Sequence, residues 1–355
     1  MNHDRFRVLT SAYSGLTVAV LGDFCLDRYL EIDTARRETS IETGLPVHNV
    51  ASVRAQPGGA GTILNNLVAL GVGRILAIGF CGDDGEGYEL RRALAATPGV
   101  DLGHFLTTPE RRTFTYCKPL LIEPGRPPVE LSRLDSKNWT PTPDSLTRRF
   151  RDALRVLGPE LDALIVLEQV DRAETGVITR GLLDEVATLA ASRPGLPILA
   201  DSRRGLAGWP GLSFKMNAAE LATLLGEPAD EGRDLASVRS IAATLAARNR
   251  RPVFVTLAER GIVAAGPDGE TEHVPALPVR GPIDVVGAGD SVTANLAAAL
   301  AAGATPREAI ALAAVASSVV IHQLGTTGTA TVADLESLLG RVPAAPAGHE
   351  QGHRP

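Results

Sequence analysis

Short runs of β-branched and aliphatic residues recur along the chain, and most are followed by a stretch with helical period. Residues 17–21 (TVAVL), 75–80 (ILAIGF), 163–167 (ALIVL), 197–201 (PILAD) and 252–257 (PVFVTL) read as buried strands, since they are apolar on both alternating positions. After Pro57-Gly58-Gly59, apolar residues at 63, 64, 67, 68 and 70 describe a helical stripe that Gly71 is placed to end. Further helices are predicted over 86–96, 144–157, 174–192, 218–225 and 234–248, then after Gly289, over 306–323 and over 331–340. Strands alternating with helices predict an α/β fold with a mostly parallel sheet covered on both faces. In such sheets ligands gather at the carboxyl ends of strands. Asp27, Gly82-Asp83-Asp84, Asp201 and the segment after Leu257 all fall there.

Two segments break the alternation. Residues 28–56 are polar and irregular, with an extended stretch near 45–53, and residues 107–137 alternate like antiparallel strands around a Pro/Gly turn at 124–128. Together they predict a small separate β-sheet inserted in a main body spanning 15–340. Residues 1–15 read as a leading helix. The tail, 341–355, is rich in Pro, Gly and His and is expected to be disordered.

Charge and composition remove several classes of function. The net charge of −6 argues against a general nucleic-acid or anionic-membrane binder. Of 35 basic residues only Lys118, Lys137 and Lys215 are lysines, and none follows a glycine, so no GxxxxGK[ST] phosphate loop exists. Cys25, Cys81 and Cys117 fit neither a disulfide framework nor a CxxC metal site, and read as buried thiols in a reducing cytoplasm. The N-terminus lacks the apolar run of a signal peptide, and the apolar run 310–321 is too short to span a bilayer.

The densest chemical signal is Asp284-Val-Val-Gly-Ala-Gly-Asp290-Ser291, directly before a predicted alanine-rich helix. Gly287 and Gly289 allow close backbone approach, and free N–H groups at a helix start bind anions. A carboxylate at the same place suits a general base that takes a proton from an attacking hydroxyl. Asp290 could equally be an N-cap. The run lacks the third glycine of a dinucleotide fingerprint.

On these residues the chain resembles the ribokinase-type sugar kinases of the PfkB family, whose signature ends in D-x-x-G-A-G-D. Other stretches match in the family's order: Gly22-Asp23-Phe-Cys-Leu-Asp27, Pro57-Gly58-Gly59-Ala60, Gly82-Asp83-Asp84-Gly85, Asn217-Ala-Ala-Glu220 and Thr256-Leu-Ala-Glu-Arg-Gly261. The resemblance covers about 15–340. It implies a ribokinase-like three-layer α/β/α sandwich with a small β-sheet lid, over 28–56 and 107–137. It implies transfer of the ATP γ-phosphoryl group to a sugar hydroxyl, with Asp290 as base and Gly287, Ala288 and Gly289 as the anion hole. Asp27, Gly58, Gly59, Thr62 and Asn66 would meet the sugar. Asn217, Glu220, Thr256, Ala258 and Gly261 would serve ATP. Glu220 would hold Mg²⁺, and a monovalent cation such as K⁺ is a further candidate.

Within the family the chain resembles the kinases of heptose 7-phosphate, through Gly22 to Tyr29, the PGGA helix with Asn66, Asp284-Val285 and Leu324-Gly325-Thr326. It departs from that group at Thr62, at Val286 and over 38–45. A nucleotidyltransferase domain, fused to some of those kinases, is not expected in the short stretch after 340. An acceptor that already carries phosphate needs cations, for which Arg111, Arg112, Lys118 and Arg133 are candidates, while His322 could flank the adenine. The alternatives are a kinase of an unphosphorylated sugar or nucleoside, and a sensing protein without catalysis. The lid is expected to pair with a second copy in a cytoplasmic homodimer, with no nucleic-acid or membrane partner.

Overall fold

The computed structural model describes residues 1–226 and 233–340. The predicted tail lies outside the described residues. Helix α1 (His3–Ala12) leads into β1 (Thr17–Gly22). Strands β2 (Phe24–Thr39) and β3 (Pro46–Gly59) form a long hairpin, followed by α2 (Ala60–Ala69), β4 (Arg74–Gly82), α3 (Gly85–Ala95) and β5 (Val100–Thr108). Then come β6 (Phe114–Ile122), β7 (Val129–Glu130), α4 (Asp144–Leu157), β8 (Ala163–Glu168), α5 (Arg180–Ser192), β9 (Ile198–Ser202) and β10 (Ser213–Asn217). The remainder is α6 (Ala218–Leu224), α7 (Leu235–Asn249), β11 (Val253–Thr256), β12 (Ile262–Ala265), β13 (Thr271–Val274), α8 (Ala288–Ala301), α9 (Pro306–Val320) and α10 (Val332–Leu339).

Nine strands make one sheet in the order β13-β12-β11-β10-β9-β8-β1-β4-β5. It is parallel except where β12 and β13 pair antiparallel at one edge. Successive side chains of β1 show why its sequence is apolar throughout. Val18 and Val20 face α2, α8 and α9, whereas Ala19 and Leu21 face α4 and α5. Full burial of each valine or leucine stabilises the fold by about 1.5–3 kcal/mol. The fold is the three-layer α/β/α sandwich expected.

The second sheet has four strands in the order β3-β2-β6-β7. Its β2–β3 and β6–β7 pairs are antiparallel, but β2 and β6 run parallel. Residues 28–39, which read as irregular, are strand. Their charged residues lie on a sheet that keeps one face in solvent, so no apolar run marks them. Residues 107 and 108 close β5 at the edge of the large sheet.

The helix expected from 174 begins at Arg180. Two contacts hold the preceding turn out of helix: Thr179 Oγ1 accepts the Leu182 N–H as N-cap, and the Asp23 carboxylate accepts the Val177 N–H at 2.6 Å. Among the described residues no helix is long and apolar enough to cross a membrane.

Candidate active site

Helix α8 starts at Ala288, with Gly287 as N-cap at φ 82. A Cβ on Gly287 would stand 3.3 Å from that of Thr327. Asp290 is the third helical residue and makes no cap hydrogen bond, so the N-cap alternative does not hold. Asp284 braces the turn, its carboxylate accepting N–H groups from Val286 at 3.0 Å and Gly325 at 3.2 Å. The Ala288 N–H donates to Val285 O at 3.2 Å, so the N–H groups of Gly289 and Asp290 lead the helix start. Burial, more than any charge, pushes the Asp290 carboxyl up to about 7; Asp201 adds to the shift, Lys215 opposes it and Asp27 adds again.

Beneath this turn lies a network of which the sequence marked only Asp201, at the carboxyl end of its strand. Lys215, in the middle of β10, is 7% exposed. Its Nζ donates to Asp201 Oδ2 at 2.8 Å, and Thr293 Oγ1 donates to the same oxygen at 3.0 Å. Burial pulls Lys215 down, but the Asp201 charge and hydrogen bond outweigh it and the net shift is upward. The available signal was one of only three lysines, set between Phe214 and Met216 two residues before Asn217.

The residues expected to meet the sugar lie at the root of the small sheet. Asp27 sits on β2 opposite Gln56 and Tyr116. A Cβ on Gly58 would meet Asp27 Oδ2 at 2.6 Å, so glycine makes room for the carboxylate. Gly59, at φ 57, has no space for a Cβ beside the Asp23 carbonyl. Burial raises Asp27, against the opposing charges of Lys118 and Arg133. Lys118 Nζ lies 3.8 Å from Asp27 Oδ1 and donates to the Tyr29 hydroxyl at 3.3 Å. Arg133 pairs with Asp135 at 2.9 Å and lies over the Tyr116 ring at 4.8 Å. Gln56, also missed from sequence, donates to Thr327 Oγ1 at 2.9 Å and so ties the root of the hairpin to the loop under Gly287.

Other candidates sit elsewhere. Thr62 and Asn66 are buried on α2, where the Asn66 amide donates to Thr62 O at 3.0 Å. Asn66 Oδ1 is buried without a partner, an orphaned acceptor on the helix that follows Gly58-Gly59. Arg111 donates to the carbonyls of Thr140, Pro141 and Thr175, and serves the backbone. Arg112 lies 3.6 Å from both Asp84 and Glu86. Asp84 caps α3, accepting from Gly87 N, and also binds Thr113. His322 Nε2 accepts the Arg280 N–H, which leaves the proton on Nδ1 for Ser318 O, so both ring nitrogens are engaged.

Of the residues expected to serve ATP, Asn217 and Glu220 form a reciprocal capping box at the start of α6. Glu220 is raised by burial first and by the Asp201 charge second. Thr256 Oγ1 donates to Met216 O at 3.4 Å, which ties the ends of β10 and β11 together. Ala258 and Gly261 take φ values of 49 and 93 in the β11–β12 turn. A Cβ on Gly261 would meet Val274 O at 2.0 Å, so only glycine fits there. Among the described residues no three His, Cys, Asp or Glu side chains gather as a metal cage. Glu220 together with Asn217 fits Mg²⁺, which is commonly held by one or two carboxylates together with water and phosphate. The half-buried carboxylate of Glu220, near the Asp201 charge, is the residue that would hold it.

The profile of the pfkB family carbohydrate kinases matches residues 213–332. The bifunctional protein HldE of Azorhizobium caulinodans is 32% identical over 339 residues, which cover 92% of this chain and 65% of that protein. The HldE of Halorhodospira halophila is 34% identical, covering 95% and 66%. The HldE of Hyphomonas neptunium is 31% identical, covering 97% and 67%. The chain thus spans about two thirds of the length of these relatives, and slightly less for the first two. Among solved structures, Arabidopsis thaliana ribokinase complexed with ribose and ATP shares the fold at a TM-score of 0.63 and 18% identity, covering 91% of this chain and 98% of that one. Escherichia coli phosphofructokinase-2 in complex with fructose-6-phosphate does so at 0.64 and 18%, covering 92% and 98%.

Proposed function

The chain belongs to the pfkB family of carbohydrate kinases, and on that premise we propose that it transfers the γ-phosphoryl group of ATP to a hydroxyl of a sugar phosphate of the heptose 7-phosphate type. One observation carries the reading. The Asp290 carboxyl lies in the first turn of α8, at the helix start, free of any capping duty.

Asp27 accepts hydrogen bonds from the acceptor hydroxyls and fixes the ring, with Gly58 and Gly59 letting the backbone approach. Asp290 takes the proton of the attacking hydroxyl, and its raised affinity near neutral pH suits a base that must be both deprotonated and proton-hungry. The N–H groups at the start of α8 receive the negative charge of the transferred group. Glu220 and Asn217, with Thr256, Ala258 and Gly261, form the nucleotide side. Mg²⁺, when bound, neutralises charge on the phosphate oxygens. K⁺ remains a candidate on resemblance alone.

Lys118 is the cation placed for an acceptor phosphate, since it stands beside Asp27 in a partly buried strand. Arg133 is its second. A kinase of a neutral sugar is the other reading, favoured by one fact: both cations already have a carboxylate neighbour. The small sheet would act as a lid and pair with a second copy in a cytoplasmic homodimer. ATP consumption against a panel of neutral sugars, nucleosides and sugar phosphates decides the acceptor. Turnover highest with heptose 7-phosphate supports the proposal. Turnover confined to neutral sugars or nucleosides contradicts it.

A further inference from the structure

The site contains a buried ion pair that binding and proton transfer, as described above, do not use. Lys215 and Asp201 lie on adjacent strands, β10 and β9, under the first turn of α8. Thr293, one turn along α8, donates both to Asp201 Oδ2 at 3.0 Å and to Gly289 O at 3.1 Å, so the pair is bolted to the same helix turn that carries Asp290. The Lys215 ammonium reaches to 3.1 Å from the point a Cβ would occupy on Gly289, next in sequence to Asp290. Lone buried charges are costly, and a buried pair is retained only with good geometry and further hydrogen bonds. Here the geometry is good, and both charges press on one neighbour.

We propose that Lys215 and Asp201 are a positioning pair for Asp290: fastened to α8 by Thr293, they hold its first turn and set two opposite charges beneath it. This rests on the reading of Asp290 as the base. Among the described residues the charged and titratable groups that act on Asp290 are Asp201 on β9, Lys215 on β10 and Asp27 on β2; the buried Cys25 thiol on β2 feels it in turn, and Glu220 on α6 acts on the pair itself. Of these, Asp201 and Lys215 push in opposite directions. Loss of either therefore has a signed effect, which a merely structural disturbance does not reproduce.

The test follows the protonation of Asp290 directly, without substrate. Chain labelled with ¹³C at the aspartate carboxyl carbons is titrated by NMR, and the Asp290 signal is assigned by its loss in Asp290→Asn. Asp201→Asn is expected to lower the Asp290 midpoint by about 1 pH unit or more, and Lys215→Met to raise it by a similar amount. Lys215→Arg keeps the charge and should stay at the wild-type midpoint. Shifts of the same sign, or none in Asp201→Asn, overturn the proposal. If Lys215→Met does not fold, a lowered midpoint in Asp201→Asn with an unmoved one in Lys215→Arg still supports it, and any other pairing overturns it. Failure of the base reading shows separately, as full kinase turnover in Asp290→Asn.

Discussion

The ammonium of Lys215 lies 3.1 Å from the point a Cβ would occupy on Gly289, so this glycine is the space in which a buried lysine reaches the start of α8. An alanine there must displace an ammonium already fixed by Asp201. Gly289→Ala should keep the fold, with melting changed by only a few degrees, and lose about 10²-fold in kcat, the scale of removing one preorganised anion contact. Unchanged kcat would mean that the close approach serves packing alone.

Lys118 Nζ stands 3.8 Å from Asp27, the carboxylate proposed to hold the acceptor. Lys118→Ala should raise KM for a phosphorylated acceptor about 10-fold or more, as a charge-assisted hydrogen bond contributes about 1.5–3 kcal/mol. KM for a neutral sugar should move much less, through the effect on Asp27 alone. Equal effects on both would remove the phosphate-binding role.

Helix α1 is fastened to α9 by Arg5, which donates Nε to Glu308 Oε1 at 2.8 Å and Nη2 to Oε2 at 3.0 Å. The Arg5 hydrogen bond holds Glu308 down to about 2. A carboxyl lowered in the folded state stabilises it above the ordinary glutamate pKa of about 4.3, and that contribution disappears as pH falls towards 2. Arg5→Ala should lower the urea midpoint at pH 7. The gap from wild type should close between pH 4.5 and 2. A gap independent of pH would show that Arg5 acts through its bond to Gly303 O instead.

The outer strand of the small sheet exposes Val47, Val50 and Val53. A sheet that leaves three valines of an edge strand in water is expected to pair with another copy. Light scattering at micromolar concentration should give a dimer, and Val53→Glu should give a monomer. A monomeric wild-type chain would contradict the expectation.

Much of the architecture was legible because its signals are local. The apolar runs of β1, β4, β8 and β11 announce strands buried on both faces, and the glycines before α8 announce a helix start near an anion. What sequence did not reveal depends on contacts between distant residues. Residues 174–179 look helical until Asp23, remote in sequence, takes the N–H of Val177. Strands β12 and β13 are four residues each and gain their identity only by pairing with β11 and each other. Strand β10 carries no clear signal in the sequence, because Lys215 interrupts its short apolar run, and the meaning of that lysine appears only when Asp201 and Thr293 are brought to it. Arg111 shows the converse: its charge suggested a ligand, yet three backbone carbonyls occupy it.

The central claim is that Asp290 accepts the proton of the attacking hydroxyl, and kcat of Asp290→Asn tests it most directly. With the carboxyl pushed up to about 7, wild-type kcat/KM should rise with pH as the group deprotonates and level off above that value. Asp290→Asn should lose about 10²–10⁴-fold in kcat, the usual worth of a positioned base, with no acid limb left near 7. Wild-type turnover in Asp290→Asn, with the limb intact, would contradict the account.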